Sequence, residues 1–307
     1  MNHQLKLALL ATLPIVSPVC RGAEFKAAST LSDLSGLAWM GGDRFLGVHD
    51  AKTDDEPGLS RVSILQLPKG LGGITFTSED VSHGGVESND LESASRVPGA
   101  NLVILAESGD NQKNLDYQRL FRAEVDGDQV RITGSVRWPM KIYNVEASAI
   151  AKTSDGYLFL YAERAEKQPS TELRFASFDP EKLSFGEFRS VTVNNPAPDR
   201  FNRPLVALDV GPGGEVFIAA AYDAEAAGLP DPDNGPFRSG VYRIGKVSAD
   251  GDVSLAPSPT EWAILDGMKV ESVAIQESDE GIGVFVGFDD ENYGATLRLL
   301  PKPPEFD

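Results

Sequence analysis

The chain has 307 residues, 41% of them hydrophobic, which is enough to bury one large all-β domain or two smaller ones. Its 46 acidic side chains against 28 basic ones give a formal charge of −18, a field that repels nucleic acid and anionic membrane surfaces. A soluble acidic surface alone accounts for such a charge, so composition excludes partners without naming one.

In chain order, the first segment is MNHQLK followed by LALLATLPIVSP, a basic start and an apolar run too short to span a bilayer. This pattern predicts a secretory signal peptide over residues 1–22 and a mature domain over 23–307, periplasmic or secreted. Cleavage after Gly22 puts Cys20 and Gly22 at the small-residue positions, whereas cleavage after Ala23 puts Arg21 where it is disfavoured. Lipidation of Cys20 is the alternative fate of this segment, although Val19 just before it is larger than the residue usual there. With residues 1–22 removed, the mature chain keeps no cysteine, and loss of Lys6 and Arg21 moves the charge to −20. No transmembrane segment is expected in the mature chain, and nothing in the sequence requires an oligomer, so a monomer is expected.

EFKAAST (24–30) follows, a strand-like segment with no partner near it in sequence. After it come five copies of one pattern. The copies open on LSGLAW (34–39), LESASR (91–96), VEASAI (145–150), LVALDV (205–210) and VESVAI (270–275), which superpose without gaps. Each continues through a turn rich in glycine or aspartate: MGGD, VPGA, TSDG, GPGG or ESDEG. A second apolar strand then ends in charge: RFLGVHD, LVILAESGD, YLFLYAER, VFIAAAYD and VFVGFDD. Third strands follow in every copy, from RVSILQL (61–67) to ATLRLL (295–300), and fourth strands in the first four, as in QVRITGSV and TEWAILDG.

The fifth copy has no fourth strand, and EFKAAST has no partner, so the two complete each other. The expected fold is all-β: a five-bladed β-propeller closed by the N-terminal strand, or a six-bladed one if a degenerate blade is hidden. The aligned position recurs at Ser35, Glu92, Glu146, Val206 and Glu271, with spacings of 57, 54, 60 and 65 residues. Common propeller repeats are about 40–50 residues, so long loops must protrude. No segment keeps a helical period for more than two turns.

The first strand of each blade lines the axial channel, so this register forms a ring. Three carboxylates facing one another repel, which raises their pKa values or calls for a cation. Calcium suits such a site because it takes 6–8 oxygen ligands in flexible geometry. The metal ligands expected are Ser35, Glu92, Glu146 and Glu271. The alternative is that each glutamate binds backbone N–H groups of the next blade or a serine such as Ser93, Ser148 or Ser272. Zinc is disfavoured by the absence of mature cysteine and the presence of only His49 and His83.

The second strands end near one mouth of this channel, at His49 with Asp50, Glu107 with Asp110, Glu163 with Arg164, Tyr222 with Asp223, and Asp289 with Asp290. Asp50, Glu107, Arg164 and Asp289 are the candidate catalytic residues: a carboxylate to orient and deprotonate water, and Arg164 for an oxyanion. Taken singly, each of them is better accounted for as a solvated loop position, so the catalytic reading rests on the set. GLPDPDNGPFRSG (228–240) places Asp231, Asp233 and Asn234 together but fails the EF-hand spacing and reads as a proline-stiffened surface loop. No G-x-S-x-G, CxxC, HExxH or phosphate-cradling loop is present.

LSGLAWMGGDRFLGVHDAKT (34–53) and KVESVAIQ (269–276) resemble the first and last blades of the calcium-dependent apyrases. The resemblance implies a five-bladed propeller whose axial calcium is held by Ser35, Glu92, Glu146 and Glu271, with Asp50 at the position of an acid needed for nucleotide hydrolysis. Val206 departs from that pattern, which has a hydroxyl there, and HDAKTDD lacks the family's paired-aspartate and Arg-Thr-Gly context. More broadly the chain resembles bacterial periplasmic propellers of the phytase-like or esterase-like kind. The expected function is calcium-dependent hydrolysis of a phosphate ester or related ester of small size. The alternative is a non-catalytic binding or scaffold propeller with a structural calcium.

Overall fold

The computed structural model describes residues 24–26, 33–52, 60–69, 74–110, 115–165, 168–224, 227–228, 236–279, 281–289 and 296–306. The segment 1–22 with Cys20, the loop carrying Asp231, Asp233 and Asn234, and Asp290 lie outside the described residues.

Five antiparallel sheets form the expected five-bladed β-propeller. Their inner strands are Gly36–Gly41, Leu91–Arg96, Val145–Thr153, Arg203–Val210 and Val270–Ser278. Each pairs with the second strand of its own copy, and that with the third. The N-terminal strand Glu24–Lys26 is the outer strand of the fifth blade: Glu24, Phe25 and Lys26 stand opposite Arg298, Leu297 and Thr296. The ring is therefore closed by the two ends of the chain, as the missing fourth strand predicted.

The second strands read as unbroken apolar runs because both of their faces are covered. In Leu102–Glu107, Val103 and Leu105 pack toward the first blade, with Leu46 and Val48, while Leu102, Ile104 and Ala106 pack toward the third, with Ile150 and Phe159. Alternate side chains of a strand point to opposite faces, so one strand feeds two cores. The same alternation gives five apolar clusters, one between each pair of neighbouring blades. Full burial of one such Leu, Val or Phe is worth about 1.5–3 kcal/mol. Val206, aligned with the axial glutamates, packs instead into the cluster between blades four and five, with Val270 and Val273.

Inner strands approach closely at the axis. A Cβ on Gly36 would stand 2.6 Å from Ser93 Cα and 2.8 Å from the Ala94 nitrogen, so only glycine fits between the first and second blades.

Three features depart from the sequence reading. A two-stranded hairpin, Ser82–His83 with Val86–Glu87, lies between blades one and two around Gly84 and Gly85, both with positive φ. The outer edge of blade three is split into Ser184–Phe185 and Arg189–Asn194, both pairing with the third strand. The outer strand of blade four starts early and runs over Val253–Asp266. Among the described residues no helix is long and apolar enough to cross a membrane.

Candidate functional site

In three blades the axial glutamate is the extra residue of a β-bulge. Leu91 faces Glu107 and Ser93 faces Ala106, which leaves Glu92 opposite nothing. Glu146 falls likewise between Val145 and Ala147, and Glu271 between Val270 and Ser272. A bulge re-aims one side chain while the flanking residues keep the ladder, so these strands remain buried while their carboxylates turn to the channel. Ser35, Glu92, Glu146 and Glu271 all line one narrow axial cavity of about 10 Å³. The serines beside the glutamates serve other partners. Ser93 and Ser95 Oγ lie 2.7 and 2.6 Å from Ser148 Oγ, and Ser272 Oγ donates to the Leu34 carbonyl at 2.7 Å.

The four cavity residues are not equivalent. Glu146, only 2% exposed, accepts a hydrogen bond from Arg164 Nε at 2.5 Å. Glu271 lies 3.4 Å from Lys269 Nζ, which also pairs with Asp289. Glu92 has no hydrogen bond or ion pair among the described residues. It instead joins Asp50 and Asp90, with one carboxylate oxygen of each within 4.8 Å of the others.

Asp90 was not singled out from the sequence. It lies two residues before Glu92 at the start of the second blade, with φ of 60°, a left-handed conformation uncommon for a residue other than glycine. Its carboxylate accepts from Ser108 Oγ and sits 3.5 Å from Lys52 Nζ. The sequence carried no periodic signal for it, since Asp90 precedes the strand Leu91–Arg96 and its left-handed backbone, not strand alternation, sets where its carboxylate lies.

Burial and mutual repulsion act together on this cluster. The Asp50 carboxyl is pushed up to about 6, by burial first and then by Asp90, Asp289 and Glu271, against the opposing Lys52. Glu92 is held well above the usual range by burial, then by Glu146, Asp90 and Asp50. Burial raises Glu146 as well, opposed by Arg164 and Arg203. Asp50, Arg164 and Asp289 thus meet the axial carboxylates at one mouth.

Glu107 is placed differently. It is fully buried, and its two oxygens accept the backbone N–H groups of Asn89 at 2.8 Å and Arg119 at 2.7 Å. Burial outweighs these bonds and raises its carboxyl to about 8. His49 is also buried, bonded to the Asp33 carbonyl and Ser63 Oγ.

An axial channel with an acidic mouth, enclosed by five blades, defines the class of the protein as a five-bladed β-propeller. An exo-1,5-alpha-L-arabinanase from a bovine ruminal metagenomic library is similar in structure over 90% of this chain and 95% of its own, with 12% identity and a TM-score of 0.50. An arabinanase from Bacillus subtilis matches over 89% of this chain and 94% of its own, with 9% identity and a TM-score of 0.43. At these identities the likeness concerns the fold. No protein-family model matches the chain, and no curated protein matches it. The phytase-like, esterase-like and apyrase-like resemblances receive no support from these comparisons.

Proposed function

We propose that the chain is an exported calcium-binding hydrolase of a phosphate ester or related ester. The observation that carries this reading is the convergence of Asp50, Asp90 and Glu92 within 4.8 Å at the mouth of the channel. The donor set is all oxygen, as calcium prefers. Carboxylates this crowded and desolvated ionise together only when a positive charge compensates them. The ion would be held by Asp50, Asp90 and Glu92, with Ser35, Glu146 and Glu271 on the cavity wall beneath. Once bound it supplies positive charge to substrate oxygens and to water.

The chain's own residues then have distinct tasks. Lys52 and Lys269 attract an anionic group into a mouth that is otherwise acidic. Arg164, fixed by Glu146, faces negative charge that develops on the substrate. Asp50, with Asp289 beside it, is the carboxylate to take a proton from water. Glu107 positions the backbone at Asn89 and Arg119, next to Asp90.

A second reading is a binding or scaffold propeller in which calcium only pins the blades. It is favoured by the small size of the axial cavity, which holds an ion more readily than a substrate. One experiment separates the two: metal analysis of native protein, with a panel of phosphate esters, carboxylate esters and arabinosides assayed with and without calcium. Calcium-dependent turnover of an ester supports the hydrolase. Bound calcium with no turnover supports the scaffold, and turnover of arabinosides alone replaces both.

A further inference from the structure

The inner strands open at their other ends onto a second cavity, of about 150 Å³, lined by residues of all five blades. An apolar cavity of roughly 150 Å³ is large enough to take a ligand the size of benzene. The chemistry of this lower mouth differs from that of the upper one. Ala38, Ala94, Pro98, Ile150, Val210 and Ile275 give it an apolar wall. Trp39 joins them with its ring held by a hydrogen bond from Nε1 to the Gly42 carbonyl at 2.9 Å.

Two cations face this wall. Arg96 lies over the Trp39 ring at 5.5 Å, with Nε on the Ala100 carbonyl at 3.1 Å and Nη1 on the Trp39 carbonyl at 3.3 Å. Its Nη2 makes no hydrogen bond among the described residues. Lys152 is exposed and has no described partner. Two acids share the mouth. Both oxygens of Asp209 are taken by the N–H groups of Val210 at 2.8 Å and Ile275 at 2.7 Å, which leaves Glu277 as the exposed acid. In a chain of charge −18, this cavity joins available cations to apolar surface.

We propose that the lower cavity binds a small amphipathic anion, with its apolar body against Trp39 and the aliphatic wall and its carboxylate between Arg96 and Lys152. The arrangement follows the usual make-up of ligand pockets, in which apolar walls give affinity and a few polar groups fix orientation. Arg96 is already ordered by its backbone bonds and by the indole, so little freedom is lost when it meets a carboxylate. This site is independent of the calcium reading.

Sodium octanoate is the probe, with octylamine and octanol as cationic and neutral counterparts. The chain has three tryptophans, so its indole N–H signals in nitrogen-15 NMR are few, and Trp39→Phe identifies the relevant one. The expected result is saturable movement of the Trp39 signal by octanoate, weaker binding of octylamine, and a loss of about fivefold or more in octanoate affinity in Lys152→Glu. Asp90→Asn, at the other mouth, should leave octanoate binding unchanged. The proposal is overturned if octanoate leaves the Trp39 signal in place, if octylamine binds as well as octanoate, if Lys152→Glu binds octanoate like the parent, or if Asp90→Asn abolishes binding.

Discussion

Arg164 donates from Nε to Glu146 Oε1 at 2.5 Å and so places a fixed positive charge beside a carboxylate that is almost wholly buried. A guanidinium there does part of what a cation would do. Arg164→Met should therefore destabilise the chain by about 3 kcal/mol without calcium, because it leaves Glu146 buried and uncompensated. Calcium should then raise the melting temperature of the variant more than that of the parent. Equal calcium shifts in the two proteins would separate Glu146 from the ion site.

Asp90 combines a left-handed backbone with a carboxylate in the cluster. Asparagine tolerates that backbone, and alanine does not. Asp90→Asn should weaken calcium binding by tenfold or so with little change in urea stability, and Asp90→Ala should lose about a further 1–2 kcal/mol of stability. Titration calorimetry and urea unfolding read the two effects separately.

Gly36 sits against the backbone of Ser93 and Ala94, where nothing flexible can yield. Gly36→Ala should force the first two blades apart at the axis and cost about 1–3 kcal/mol or more. Gly99→Ala is a useful contrast: its φ is +81° but nothing lies within 4 Å, so only local backbone strain is expected there. Thermal unfolding of both variants tests whether the close contact dominates.

Burial raises the Asp209 carboxyl to about 7, although two backbone N–H groups favour its ionised form. In the unfolded chain this group ionises near 3.8. The folded state therefore holds the proton more tightly, and its contribution to stability is present below about 4 and lost as pH rises through about 7. The upper bound on this loss is on the order of 4 kcal/mol. Relative to Asp209→Asn, the parent should become progressively less stable between pH 4 and 7.5, as followed by melting temperature; parallel curves would show that Asp209 titrates normally.

Much of the architecture was legible because propeller blades repeat. The superposition of LSGLAW, LESASR, VEASAI, LVALDV and VESVAI located the axis, and the orphaned EFKAAST located the closure. What sequence could not supply was the direction of individual side chains. The bulges that turn Glu92, Glu146 and Glu271 inward come from strand pairing, and Val206 lies at the aligned position yet points into a core. The same limit hid Asp90, whose position depends on a single φ angle, and made Glu107 look available when its oxygens face backbone donors. The hairpin at Gly84 and Gly85 did carry a local turn signal, but it belongs to no blade and so stood outside the repeat.

The pairing of Phe25 with Leu297 also sets how this chain must fold. Every other strand in the propeller finds a neighbour within its own copy, so most pairing is local and cheap in loop entropy. Closure alone joins residues some 270 positions apart, and topology of that kind slows folding because the entropy of the largest loop is lost before the contact forms. Until residues 24–26 pair with residues 296–298, the fifth blade presents an open strand edge, the state in which such a chain is most prone to pair with a second copy of itself. A circular permutant that opens a surface loop between two other blades and links the present ends turns this last, distant pairing into a local one, and it should refold faster with less aggregation.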